Sequence, residues 1–190
     1  MRRSDFQFDL PESLIAQHPP KNRGDSRLLC LDGKTGALQD RHFLDLPSLL
    51  RPGDLMVFNN TRVIPARLFG RKASGGRVEI LVERIQENNT ALAHLRASKS
   101  PKTGTRIALD NSDVEVQVLG REGDLFKVLF ATPTPILQLL HSIGHIPLPP
   151  YINRDDDPDD HRRYQTVYAS QDGAVAGSSS GASAGINEAV

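Results

Sequence analysis

The sequence predicts an α+β multidomain chain built around an all-β block, and three observations carry that prediction. Residues 66–131 show two-residue apolar alternation in short runs separated by turn residues, the pattern of half-buried strands. Short helical and mixed segments lie on both sides of that block. No apolar run approaches the roughly 20 residues that a membrane-spanning helix needs. A length of 190 residues leaves room for one domain or two small ones and for a real core.

Taken in order, Pro11 opens a short helix over Glu12–Gln17, because proline suits a first helical position, and Pro19-Pro20 end it. Strands at Arg27–Leu31 and Leu38–Phe43 flank the turn Asp32-Gly33-Lys34-Thr35-Gly36. Gly-Lys-Thr in that turn invites a phosphate-loop assignment, but the loop needs a glycine where Leu28 stands, so a hairpin turn is the assignment we keep. Cys30, inside Leu28–Leu31, reads as a buried structural thiol. As the one cysteine it allows no disulfide within the chain, which fits a reducing cytoplasm. A helix near Pro47–Leu50 leads through Arg51-Pro52-Gly53 into a short buried strand at Asp54–Phe58.

Six strands are predicted next: Arg67–Lys72, Arg77–Gln86, Ala91–Ala97, Arg106–Leu109, Val114–Gly120 and Leu125–Phe130. Glycine, asparagine, aspartate and proline supply the turns between them, and the regular short spacing favours a small barrel or sandwich. A helix at Pro135–Ile143 follows, with Gly144 as its cap. The stretch from His145 to Ile152 is held extended by its prolines. Asp155–Asp160 reads as a solvated acidic loop, Arg163–Tyr168 as helical or extended, and the tail from Gly177 as a linker without packed structure.

Twenty-three basic and 23 acidic residues cancel, so no global field draws the chain to nucleic acid or membrane. The start of the sequence has basic residues without a long apolar core behind them, which argues against secretion. Local charge is less balanced: from Arg62 to Arg106 there are ten basic residues and three acidic ones, Glu79, Glu83 and Glu87. That excess is either a phosphate-facing surface or a solvated barrel face. Asn59-Asn60-Thr61-Arg62 places four hydrogen-bonding side chains in a row, suited to ligand contact or to capping their own turn. Tyr151, Tyr164 and Tyr168 can stack on a base or pack in a core. His145 beside a helix end can carry a proton or serve structure. Scattered histidines and an isolated cysteine give no metal site, and no dinucleotide-binding glycine fingerprint is present.

Six segments together resemble one family. DFQFDLPESLIAQHP from Asp5, SRLLCLD from Ser26, GDLMVFNNTRVIPARLFGRK from Gly53, RASKSPK from Arg96, GHIPLPPYINR from Gly144, and YQTVYA then GAVA from Tyr164 and Gly173 resemble the S-adenosylmethionine:tRNA ribosyltransferase-isomerase family of queuosine biosynthesis, in family order. The resemblance implies a bacterial cytoplasmic enzyme with an α/β domain carrying an inserted closed β-barrel of about six strands. It implies S-adenosylmethionine as ribosyl donor and 7-aminomethyl-7-deazaguanine in a tRNA anticodon as acceptor, giving epoxyqueuosine. On that basis residues 1–65 and 132–176 form the α/β part, 66–131 the barrel and 177–190 the tail. Asn59, Asn60, Thr61 and Arg62 are expected to hold polar parts of a substrate, and Tyr151 and Tyr164 to face a base or the sulfonium. Arg67, Arg96 and Lys99 are expected to meet tRNA phosphates, with His145 the candidate for proton transfer. The family continues after Gly-Ala-Val-Ala with Ala-Pro-Thr-Ala-Gly-Leu-His-Phe, where this sequence turns to Gly177-Ser178-Ser179-Ser180. The chain is therefore expected to be a partial α/β domain, the N-terminal half alone, inactive by itself or complemented by a separately encoded C-terminal half. The other expected role is a non-catalytic tRNA-binding barrel.

Overall fold

A computed structural model describes residues 2–174; the predicted linker from Gly177 lies outside the described residues. The chain forms two compact units. Among the described residues, one takes residues 2–57 together with Pro149–Asp155, the other Phe58–Leu148 together with residues 156–174.

In the first unit, β1 (Arg27–Leu31) and β2 (Leu38–His42) form an antiparallel hairpin with Leu29 opposite Asp40. Its turn is closed by Asp32, whose Oδ1 accepts the backbone N–H groups of Lys34 at 2.8 Å and Thr35 at 3.0 Å. A single α-turn, α1 (Leu46–Leu49), follows with Pro47 in its first turn. No described residue of this unit is buried, and Leu29, Leu31 and Leu38 remain mostly exposed. Three expectations are corrected here. The helix at Glu12–Gln17 is one 3₁₀ turn, Glu12–Leu14, because six residues cannot nucleate a helix without an apolar face to dock. Asp54–Phe58 forms no strand: no described segment forms a ladder with it, and Leu55 and Val57 are 88% and 83% exposed. Cys30 is half-buried rather than buried, since only one face of the hairpin has partial cover.

The second unit contains β3 (Thr61–Val63), β4 (Arg67–Lys72), β5 (Arg77–Ile85), β6 (Thr90–Ala97), β7 (Arg106–Leu109), β8 (Glu115–Glu122), β9 (Leu125–Ala131), α2 (Ile136–Ile143), α3 (Asp160–Arg163) and β10 (Gln171–Ala174). Strands β4 to β9 close into an antiparallel barrel in the order β4-β5-β6-β9-β8-β7, matching the six predicted strands to within two residues at each end. Alternation drives the closure. Leu68, Val78, Ile80, Val82, Ala91, Ala93, Ile107, Val116, Val118, Val128 and Phe130 are essentially without solvent exposure and fill the interior. Irregularities in the ladder between Val82 and Arg84 and between Val118 and Gly120 bend the strands around this small circumference. Gly70 has a packing reason: a Cβ there would be 2.9 Å from a methyl of Ile107 and closer to the Ala108 carbonyl.

Helix α2 adds Ile136, Leu139 and Leu140 to the same core. Gly144 ends it without the left-handed conformation expected of a glycine cap; its φ is −79° and ψ 156°. Glycine is required for space, because an added Cβ would collide with the carbonyl oxygens of Pro65 and Leu140. The barrel and α2 interrupt a second, two-stranded sheet in which β3 pairs parallel to β10, Thr61 opposite Gln171 and Arg62 opposite Asp172.

Candidate functional site

Within the second unit, three separated segments converge on the stretch that follows Phe58. Asn60 O accepts the backbone N–H groups of Ser170 at 2.8 Å and Gln171 at 3.2 Å. Gln165 reads Val63 from both sides: its Oε1 accepts Val63 N–H at 3.1 Å and its Nε2 donates to Val63 O at 2.8 Å. Further along, Arg67 and His145 exchange backbone hydrogen bonds of 3.2 and 2.8 Å, forming an isolated bridge between the FNNTRVIPARL and GHIPLPPY segments. The close approach of Gly144 to Pro65 is what lets the two strands of chain meet.

The four residues of the polar row do different things. Asn59 Oδ1 caps Thr61 N–H at 2.9 Å, an Asx-type turn. Asn60 Nδ2 approaches Ser170 Oγ at 3.5 Å. Thr61 is half-buried at the start of β3. Arg62 is exposed; its Nε lies 3.7 Å from Asp172 Oδ1 and its Nη2 donates to Ala169 O at 3.4 Å, while His141 Nε2 lies 3.6 Å from the other oxygen of Asp172. Contacts of this kind between solvated charges are worth at most about 1 kcal/mol, so they orient Arg62 more than they immobilise it.

His145 is placed more firmly. Its Nδ1 is 2.8 Å from Asp156 Oδ1, and Asp156 Oδ2 accepts Ile146 N–H at 3.3 Å. The carboxylate side chain is only 9% exposed against 37% for the imidazole. A carboxylate can only accept, so in the neutral ring the proton sits on Nδ1 and Nε2 is left as the acceptor. The ring stands edge-on to Phe69 with centroids 5.0 Å apart. His161 Nε2 lies 4.0 Å from Asp156 Oδ2. Asp155–Asp160 is accordingly not a solvated loop. Asp160 is buried at the start of α3, where its Oδ2 accepts Asp157 N–H at 2.8 Å.

The remaining predicted residues are dispersed. Tyr164 is half-buried at the end of α3, its backbone N–H donating to Asp160 O. Tyr151 belongs to the first unit, where its carbonyl accepts Gln17 Nε2 at 3.2 Å. Arg67 is held structurally, its Nε 3.2 Å from Glu79 Oε1 and its Nη2 donating to Leu148 O at 3.0 Å. Arg96 and Lys99 are exposed at the end of β6 and in the loop after it. Sequence patterns overlooked Asp156, Gln165, Asp172 and His141. The acidic run around Asp156 imitates a solvated loop, and nothing in local spacing pairs Gln165 with Val63 or Asp172 with Arg62. Among the described residues no group of three or more histidine, cysteine or acidic side chains is placed to hold a metal. No described helix is long and apolar enough to cross a membrane.

A family model described as queuosine biosynthesis protein matches residues 3–184. The chain belongs to that family. A similar solved structure is a crystal structure, at 2.00 Å resolution, of an S-adenosylmethionine tRNA ribosyltransferase from Thermotoga maritima. It is 36% identical over 74% of this chain and 48% of that one, with a TM-score of 0.37. The chain thus spans about half the length of that solved relative.

Proposed function

We propose that the chain serves queuosine formation as part of an S-adenosylmethionine:tRNA ribosyltransferase-isomerase, contributing the inserted barrel and the Asn59–Arg62 segment to the site. The observation that carries this proposal is the convergence of FNNTRVIPARL, the Gly144–Leu148 part of GHIPLPPY and the stretch from Tyr164 to Ala174 in one unit through Arg67–His145, Gln165–Val63 and β3–β10. In the reaction the ribosyl part of S-adenosylmethionine moves to the aminomethyl nitrogen of 7-aminomethyl-7-deazaguanine in tRNA and is isomerised, with adenine and methionine leaving.

The sulfonium acidifies the adjoining ribose carbon, so a base must take that proton and adenine must leave with hydrogen-bonding help. His145 suits the base: Asp156 fixes the ring and leaves Nε2 as acceptor. Asn59, Asn60, Thr61 and Arg62 hold polar groups of the substrates, and Tyr164 faces the base or the cationic sulfur. Arg96 and Lys99 meet phosphates. Arg67 acts indirectly, by tying β4 to the His145–Leu148 stretch.

We further propose that turnover requires a complementing segment, such as a separately encoded C-terminal half. Exposed Leu55, Val57 and Phe58 and a first unit with no buried residue among those described support that. Adenine release, followed chromatographically with 7-aminomethyl-7-deazaguanine tRNA and S-adenosylmethionine, tests both proposals. Release by the chain plus a complementing segment, lost in His145→Ala, is expected. Release by the chain alone would refute the need for a complement, and no release in either case would refute the enzymatic role. The second reading, a tRNA-binding barrel without chemistry, is favoured by the confinement of nearly all buried side chains to the barrel and the elements continuing its core. It predicts tRNA retention with no adenine release under any complementation.

A further inference from the structure

The barrel is electrically polar along its axis. At one mouth meet the β4–β5 turn, the loop 98–105 that crosses from β6 to β7, and the end of β8. Lys72 Nζ donates to Lys99 O at 3.0 Å, Arg121 Nη2 lies 3.5 Å from Ser100 Oγ, and Gly104 N–H donates to Val118 O at 2.7 Å, which ties these three pieces together. This mouth carries Lys72, Arg77, Lys99, Lys102 and Arg121 against Glu122 and Asp124. The opposite mouth, formed by the β5–β6 and β7–β8 turns, carries Glu83, Glu87 and Asp113 against Arg84, while Asp110 lies back along β4 beside Arg71.

Two features of the basic mouth go beyond a solvated face. Arg71 and Arg77 stand directly opposite each other in the β4–β5 ladder, a like-charge pairing that costs stability unless an anion relieves it. Arg71 has Asp110 at 4.0 Å, whereas the side chains of Arg77, Lys99 and Lys102 have no ion-pair or hydrogen-bond partner among the described residues. In addition the Arg121 guanidinium lies over the Phe126 ring, 4.1 Å from its centroid, so this cation is held in place rather than swinging freely.

We propose that this mouth, centred on Arg77, Lys99 and Lys102, docks the phosphate backbone of RNA, while the opposite mouth faces away from it. The proposal rests on the reading of tRNA as substrate and adds which surface meets it. Phosphate contacts of this type fix register and orientation without reading sequence, which is what a barrel holding an anticodon arm near a separate chemical site must do.

The test is fluorescence anisotropy of the full chain with a labelled anticodon stem-loop RNA across a salt series. It compares the unaltered chain with Arg77→Gln/Lys99→Gln/Lys102→Gln and with Arg84→Gln at the acidic mouth, circular dichroism confirming that each folds. Losing three phosphate contacts should flatten the slope of log K against log salt by about 2 and weaken binding on the order of 100-fold at 0.1 M salt, with Arg84→Gln leaving affinity and slope unchanged. Steep, salt-sensitive binding that the triple substitution leaves intact would overturn the mouth assignment and leave the tRNA reading standing. No binding by the unaltered chain at low salt would overturn both. Equal affinity for heparin with equal sensitivity to the triple substitution would mark a general polyanion or acidic-protein surface and overturn the assignment to RNA.

Discussion

At the scale of single residues, the contacts that hold the resembling segments together are few and sharply defined. Gly144 is one of them: the atoms an added methyl would strike are backbone carbonyls of Pro65 and Leu140, which cannot rotate away as a side-chain end can. Gly144→Ala should therefore destabilise the second unit by about 2 kcal/mol, the usual cost of overpacking. Gly33→Ala, in a turn where an added Cβ meets nothing within 4 Å, should stay within about 0.5 kcal/mol in the same urea titration. Asp156 is the other. Removing its carboxylate leaves the half-buried His145 Nδ1–H and Ile146 N–H without their acceptor, a cost of about 1–3 kcal/mol. Asp156→Ala should also abolish the Nδ1–H tautomer preference of the neutral His145 ring, visible in its long-range nitrogen–proton NMR correlations. An unchanged tautomer would mean that the carboxylate does not orient the ring.

At the scale of elements, the β1–β2 hairpin is held by its turn more than by a core, since its leucines lie largely in solvent. The N–H groups of Thr35 and Lys34 hold the Asp32 carboxyl below its ordinary value of 3.8. A carboxyl whose folded value is depressed contributes stability that is complete above the unfolded value and lost as pH falls through the folded one. Amide exchange across the hairpin should consequently quicken as pH drops below about 3.8, after correction for intrinsic exchange, and Asp32→Ala should remove that pH response. The elements also divide by how they could be read from sequence. The barrel strands were legible because each satisfies period-2 alternation locally, and closure then follows from burying every inward face. Asp54–Phe58 reads as a short buried strand from its continuous apolar run yet forms none, because a strand exists only through a partner and no described segment pairs with it. The site fared likewise. Asn59–Arg62 and His145 stand out as chemical types, but Asp172 beside Arg62, Asp156 beside His145 and the Gln165 that holds Val63 lie 11 to 110 residues from their partners in sequence, and no periodicity encodes such a pairing.

At the scale of the whole chain, the distribution of burial governs behaviour. Among the described residues the buried apolar side chains other than proline fall between Val63 and Leu148, all in the second unit, and 19 of these 23 form one cluster uniting the barrel with α2. The first unit has none among its described residues. Local opening costs little where few apolar contacts and many exposed backbone hydrogen bonds hold a segment. Protease should reach Lys21, Arg23 and Lys34, exposed and outside any strand, long before the ladder-bound arginines Arg71 and Arg77. Lys99 and Lys102 sit in a loop anchored by buried Pro101 and by the Gly104 N–H to Val118 O hydrogen bond, so they should be cut late despite their exposure. Brief trypsin treatment followed by mass spectrometry should show an intact barrel fragment beginning at Thr35 or earlier. That fragment should keep a cooperative melt, because the cuts remove no residue of the barrel cluster. First cuts between Arg67 and Phe130, or a fragment that melts without cooperativity, would mean that the barrel draws stability from the first unit and that burial does not report where the chain holds together.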